Sequence, residues 1–280
     1  MKAVKKVLLS LVFPVLMFVV MLVITMNSDK CIVNGRNIFL GKDLVKQVVI
    51  NSCMTVCVAL AIWLQLKNGR FDFSGGASMV LAAIGAGYVG QHTGSMWAAF
   101  ATAIALGVVL SMGTAIVYIV GRLPIIICTI GMTLLYESLT YLLFGGQGIR
   151  GFYSTPALSQ MGRMPLVLLP AVLAMILFVV YTYFTASGRR GKILANNQSA
   201  GVNIGINENK NVFVSYIFSG LIIGLAAIVY ISQNDVTPQS GLATSSIMFS
   251  YIVPVFMGTF IGLASNCLLY TSELPTTPYV

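Results

Sequence analysis

Charge is scarce in this chain. Asp, Glu, Lys and Arg make up 8% of its 280 residues, against about 25% in a soluble domain, while 58% are hydrophobic. Such a supply cannot cover a water-facing surface, so the chain is read as a membrane protein. Histidine is reduced to His92, and the five cysteines (Cys31, Cys53, Cys57, Cys128 and Cys267) form no CxxC pair. A zinc site built from the protein is therefore not expected, and no other metal or cofactor site suggests itself. Cys53 and Cys57 share a helix face at i, i+4 and are taken as small packing residues. His92, beside Gly94, is taken as an interfacial residue at a helix end. A phosphate loop is missing, because the run GRRGK at 188–192 has the wrong spacing for G-x-x-x-x-G-K-[ST]. No cluster of His, Asp or Glu supports an integral-membrane enzyme, no basic face with interleaved aromatics supports nucleic-acid binding, and no solenoid or inverted repeat is visible.

Long apolar runs are what the chain has instead. A spanning helix needs about 20 mainly apolar residues, and eight segments qualify, at 7–26, 45–66, 75–92, 96–119, 123–144, 164–186, 211–232 and 247–264. They predict an all-α fold, a polytopic transmembrane helix bundle. The third run is short and Gly-rich; it is kept as a span, the alternative being a broken or partly re-entrant helix that protein neighbours shield from lipid. Lys2, Lys5 and Lys6 precede the first run as in a signal peptide, but that run is long, contains Pro14 and ends without a small-x-small cleavage site, so it is expected to stay as an anchor. Cytoplasmic loops retain an excess of Lys and Arg. With the N-terminus inside, ten basic residues face the cytoplasm (Lys2, Lys5, Lys6, Lys67, Arg70, Arg122, Arg189, Arg190, Lys192, Lys210) and six face outward (Lys30, Arg36, Lys42, Lys46, Arg150, Arg163). Gly220-x-x-x-Gly224 and Gly258-x-x-x-Gly262 mark helix crossings where backbones approach closely.

Candidate functional residues fall in a few places. In NGRFDFSGGAS, residues 68–78, Asp72 and Ser74 can cap the N–H groups of the Gly-rich run; the alternative is that Gly75-Gly76 lets this helix move or pack tightly during transport. Glu137 lies within the fifth run, where an ionisable group is a functional-site hypothesis by default; the plainer expectation is pairing with Tyr136 or Gln147 near the outer interface. Pro124 opens that same run at a position where its missing N–H is harmless. Gln47, Asn51 and Thr55 recur at i, i+4, i+8 and make one polar stripe on the second helix, suited to a hydrophilic pathway or to hydrogen bonding between helices. The polar stretch from Ser187 to Lys210 carries four basic residues between two membrane-length runs. Its length and its Gly, Ala and Asn content favour a compact turn or short helix that another subunit could grip.

Three of these segments together resemble the membrane permease subunits of bacterial ABC importers for ribose and related simple sugars, relatives of the branched-chain amino-acid permeases. GRFDFSGGAS is similar to that family's G-x-x-D-L-S-x-G-A signature, and GRLPIIICTIGMTLLYESL to its L-P-x-F-I-x-T-L-G helix start. KILANNQSAGVNIGI, residues 192–206, resembles its Y-A-x-G-x-N-x-x-A-A-x-x-S-G-I loop, with Ala195, Asn197, Ala200, Gly205 and Ile206 at matching positions. The likeness covers about residues 45–262. Phe73 in place of Leu, Glu137 where relatives commonly carry Arg or another residue, and Gly201-Val202 in the loop depart from the pattern and bear on the substrate.

The resemblance implies a multi-pass subunit of the bacterial cytoplasmic membrane, N-terminus cytoplasmic, that lines a sugar pathway and works by alternating access. Its partners would be a cytosolic ATPase that binds the ATP, an extracytoplasmic solute-binding protein, and a second permease copy in a homodimer or a related permease, all in the lipid bilayer. Gly188, Arg189, Arg190, Ala195, Asn197, Ala200 and Gly205 would belong to the ATPase-coupling loop, and Gln47, Asn51, Thr55, Asp72 and Glu137 to the translocation pathway. The outer segment Gly145 to Arg163 would dock the binding protein. Nucleosides or branched-chain amino acids are the alternative cargo; an ion-coupled secondary transporter is the alternative mechanism. The family continues with a Gly-rich turn and two further helices, whereas here 1–265 is the permease domain and 266–280 an atypical polar tail, expected to reflect truncation or a foreign, frame-shifted end from about Asn266.

Overall fold

A computed structural model describes residues 15–26, 32–33, 36–37 and 42–265. Helices dominate: α1 (Val15–Met26), α2 (Lys42–Lys67), α3 (Ser74–Thr93), α4 (Met96–Gly121), α5 (Ile125–Leu142), α6 (Leu168–Val179), α7 (Ala186–Asn196), α8 (Gln198–Asn203), α9 (Glu208–Ile231) and α10 (Ala243–Ser265). The only ladder among the described residues pairs β1 (Ile32–Val33) with β2 (Arg36–Asn37). The protein is therefore an all-α bundle. The final residues 266–280 and the first part of the 7–26 run lie outside the described residues.

The chain divides into two compact units. One holds α1, the hairpin, the start of α2 up to Ser52 and the part of α10 from Pro254; the other is Cys53–Val253. Within Cys53–Val253, α3 is the central helix, packed by α4, α5 and α9. Fifteen of its 20 residues are buried. The helix kept for this run is found and the broken or re-entrant alternative is not: α3 is continuous, because α4, α5 and α9 cover its Gly- and Ala-rich surface and no backbone group has to face lipid.

Small residues set the closest crossing. Ala99, Ala103, Gly107, Ser111 and Thr114 are buried along α4, and Gly220 and Gly224 of α9 lie against them. A Cβ on Gly107 would come within 2.5 Å of the Gly220 carbonyl oxygen and 2.7 Å of the Gly224 nitrogen. Backbone thus meets backbone, and dispersion replaces side-chain interdigitation as the source of affinity. The second pair, Gly258 and Gly262, reaches into a part of α10 whose side chains are outside the described set.

Each of the eight expected segments holds a helix where described, yet among the described residues only four helices are long and apolar enough to cross a membrane alone: α2 from Val45, α4, α5 and α9. A fifth span arises if Leu168–Phe184 and α7, which meet at a 71° bend, are taken together. The expected 164–186 helix differs at both ends. It begins at Leu168 after a buried 3-10 turn, Ser159–Gly162, and passes into a π-helical turn, Val180–Phe184, before breaking at Thr185. Thr185 ends one helix and caps the next: its hydroxyl donates to the Tyr181 carbonyl (2.6 Å) and accepts from the Gly188 amide (3.0 Å).

Candidate functional site

Two regions gather the polar groups of Cys53–Val253. The first is the end of the bundle that carries the α2–α3 turn, the α4–α5 turn and the α7–α8 connector. Here the polar stretch folds as two short helices, with the bent-off α7 packed on α9. Glycines let it press close. Gly191 is buried with its missing side chain at Asn68 Oδ1, and Gly69, held at φ +74, would bring a Cβ to 2.9 Å from Ala195 Cα. Gly188 abuts the Tyr181 carbonyl.

A hydrogen-bond chain fixes this docking. Asn68 donates to the Leu64 carbonyl (2.7 Å) and accepts from the Tyr181 hydroxyl (3.0 Å). Arg70, 4% exposed, donates to Asn211 Oδ1 (2.8 Å) and Ser215 Oγ (2.9 Å) of α9. Asn211 in turn donates to the Ser187 carbonyl of α7 (2.8 Å). Burial lowers the Arg70 pKa, opposed by the Tyr216, Tyr181 and Tyr118 hydroxyls and Glu208. The α2–α3 turn, α7 and the start of α9 are thereby one hydrogen-bonded block, beside a cleft of about 440 Å³ lined by Arg70, Tyr118, Arg122, Leu194, Ala195 and Glu208.

Of the residues expected in the coupling loop, Arg189 and Arg190 are exposed, and Arg189 donates to the Tyr183 carbonyl at 2.9 Å. Ala195 packs on Gly69. Asn197 is exposed at the α7–α8 junction, and Gly205, at φ +86, turns the chain toward α9. Ala200 lies in α8, with its side chain outside the described set.

The second region is where α3 and α10 begin. Asp72 Oδ1 accepts from the Ser74 amide (2.8 Å) and hydroxyl (2.7 Å), and Ser74 Oγ meets Thr114 Oγ1 at 3.1 Å. Desolvation raises the Asp72 pKa, opposed by these Ser74 bonds and by the Tyr216 hydroxyl. Gly75 and Gly76 form a seat for α10: a Cβ on Gly76 would meet the Thr244 carbonyl oxygen at 2.5 Å and Met248 Cγ at 2.7 Å. Phe73 stacks edge-on against Phe249 at 5.5 Å.

Glu137 is 1% exposed and holds the start of α10. Its Oε1 accepts from the Thr244 amide (2.8 Å) and hydroxyl (2.7 Å), and its Oε2 from the Leu242 amide (2.8 Å). The expected partners Tyr136 and Gln147 are not the ones found; Tyr136 donates instead to the Leu110 carbonyl at 2.5 Å. A buried carboxylate at a helix N-terminus meets otherwise unsatisfied N–H groups and the positive end of the dipole, which is what makes so deep an acid tolerable. Around it the segments 143–167 and 232–242 are joined: Ile149 pairs with Val236, Asp235 accepts from the Gly151 amide at 2.8 Å, and Gln233 donates to the Gly162 carbonyl. Arg150 lines a separate cleft of about 390 Å³ with Gln147 and Gly148.

On α2, Gln47 donates to Asn51 at 3.4 Å, both exposed, and Thr55 is half-buried. Cys53, Cys57 and Cys128 are buried free thiols. The Arg70–Asn211–Ser215 and Glu137–Thr244 bonds escaped sequence reasoning, since their partners lie 105 to 145 residues apart; the i, i+4 pair Asn211 and Ser215 at the head of an apolar helix was the available signal.

Membrane-length helices around a largely buried Gly-rich helix, with a compact polar connector docked at one end, define a multi-pass membrane protein. Residues 44–270 match the family described as branched-chain amino acid transport system / permease component, and the chain belongs to that family. It is 26% identical over 236 residues to the autoinducer 2 import system permease protein LsrC of Enterobacter sp. (strain 638), covering 80% of this chain and 68% of that one. It is 27% identical over 218 residues to the LsrD protein of Photorhabdus temperata, covering 74% and 63%. To the galactofuranose transporter permease protein YtfT of Escherichia coli (strain K12) it is 26% identical over 187 residues, covering 65% and 54%. The chain thus spans between about half and two thirds of the length of these relatives. No solved structure matches it.

Proposed function

We propose that this chain is the membrane permease subunit of an ATP-driven importer for a simple sugar, a ribose-like monosaccharide, moved by alternating access. Membership of the permease family and the import systems named for its relatives support the reading. The observation that carries it is the docking of α7 onto the α2–α3 turn and α9 through Gly191, Ala195, Asn68 and Asn211. A force applied to α7 is passed directly to the turn that opens α3 and to the first turn of α9.

In this reading the connector end is cytoplasmic, consistent with its Lys67, Arg70, Arg122, Arg189, Arg190, Lys192 and Lys210. The α7–α8 connector, with Gly188, Arg189, Arg190, Ala195, Asn197, Ala200 and Gly205, receives a cytosolic ATPase that binds the nucleotide. Arg150 and Arg163 at the opposite end meet an extracytoplasmic binding protein, and a second copy or a related permease completes the assembly. Asp72 and the Gln47, Asn51, Thr55 stripe face the pathway, and Glu137 shapes it by holding α10. ATP then shifts the population between inward- and outward-open states.

The test is co-purification with the ATPase and binding protein, followed by uptake of radiolabelled ribose and galactose into proteoliposomes. An ATP-dependent uptake that falls in Asn197→Ala supports the reading. Uptake driven by an ion gradient without the ATPase would assign the chain to secondary transport, and uptake of a nucleoside or a branched-chain amino acid alone would change the cargo.

A further inference from the structure

Five buried polar atoms of Cys53–Val253 find no hydrogen-bond partner among the described residues, on Gln65, Ser78, Ser159, Thr182 and Tyr216, and of these Gln65 lines a cavity. Gln65, 2% exposed near the end of α2, has an amide nitrogen that finds no acceptor among the described residues, although buried polar groups are almost always hydrogen-bonded. Gln65 lines a narrow cavity between α2, α3, α9 and α10 together with Asp72, Gly75, Ser219 and Met248. The cavity leaves about 10 Å³ for the centre of a water molecule, close to the minimum that one water requires.

The unmet donor selects the ligand. A cation would leave the amide N–H without an acceptor, and an anion would face the Asp72 carboxylate across the cavity. A hydroxyl group satisfies both, accepting from Gln65 Nε2 and donating to Asp72, whose bonds to Ser74 both use Oδ1. One wall of the cavity is formed by Met248 and Ile252 of α10. Met248 rests on the side-chain-free seat of Gly75 and Gly76, so it is held there by contact alone.

We propose that this cavity is a hydroxyl-binding constriction of the translocation route. In it Gln65 and Asp72 hold one hydroxyl of a neutral polyhydroxylated solute, a single water takes that place between passages, and Met248 is the movable wall. The proposal rests on the sugar-permease reading and is tested so that the two can fail separately. In proteoliposomes carrying the complete importer, radiolabelled ribose and galactose are supplied below saturation to the wild type and to Gln65→Leu, assembly being checked by co-elution with the ATPase. In a second variant the native cysteines are replaced and Gln65→Cys is exposed to a water-soluble methanethiosulfonate with and without ATP turnover.

Loss of one neutral hydrogen bond predicts uptake lowered roughly three- to tenfold in Gln65→Leu, and Gln65→Cys labelled during turnover with protection by the transported sugar. Wild-type uptake in an assembled Gln65→Leu importer, or a Gln65→Cys that stays inert through turnover, overturns the constriction. If the wild type takes up neither sugar, the sugar reading falls. The labelling then decides the constriction alone, with reaction during turnover upholding it and inertness overturning it.

Discussion

At the scale of single residues, Glu137 shows how a charge survives at depth. Burying a carboxylate costs several kcal/mol in an apolar surrounding, and three donors from Leu242 and Thr244 offset that cost. Leu242 holds a left-handed φ of +66, an arrangement that costs a non-glycine residue about 1 to 2 kcal/mol and that delivers its N–H to Oε2. Glu137→Gln removes the charge and turns an NH2 group toward an N–H donor. It is expected to destabilise the protein by about 2 to 3 kcal/mol. The buried thiols of Cys53, Cys57 and Cys128 provide the readout, since a thiol-reactive fluorophore labels them only on unfolding; an unchanged melting curve would contradict the bonding scheme. Glu137 was conspicuous in the sequence because its surroundings are apolar, but its partners were hidden beyond the next two apolar runs.

At the scale of elements, glycine acts in opposite ways depending on what it faces. Gly107 lies against α9 backbone, which cannot move aside, so Gly107→Val forces α4 and α9 apart and is expected to lose folded protein in detergent, read by size-exclusion chromatography. Gly131 has nothing within 4 Å of a Cβ and sits inside α5, so Gly131→Ala is expected to raise stability by up to about 1 kcal/mol through helix propensity. Identical elution of the two variants would refute the assignment of the α4–α9 crossing. Gly191→Val should separate α7 from Asn68 without touching the bundle core. It is expected to abolish sugar-dependent uptake while leaving the protein folded, and full uptake would refute the docking of α7.

The apolar runs made most of these elements legible, because a membrane-length stretch without charge has few other fates. The 71° bend at Thr185 was not, since the end of an apolar run does not say how the chain turns there and the break depends on Thr185 bonding to both sides. The continuity of α3 was also hidden. Its glycines suggest weakness when read alone and tight packing once α4, α9 and Met248 are seen against them.

At the scale of the whole molecule, the two ends differ in character. One carries the α2–α3 turn, the α7–α8 connector and most of the basic loop residues; the other carries the joined segments 143–167 and 232–242. The docked α7 at the basic end and the joined segments at the other are what the proposed separation of an ATPase side from a cargo side would use. A difference between the two ends was legible from the distribution of Lys and Arg, while the block that would transmit force was not, because Arg70 and Asn211 meet only through the fold. The most direct test places a single cysteine by Arg190→Cys on the exposed face of α7, in a background without native cysteines, and treats cells with a membrane-impermeant thiol reagent. Labelling confined to inverted vesicles, and blocked there by added ATPase subunit, is the predicted result; labelling of intact cells would contradict the account.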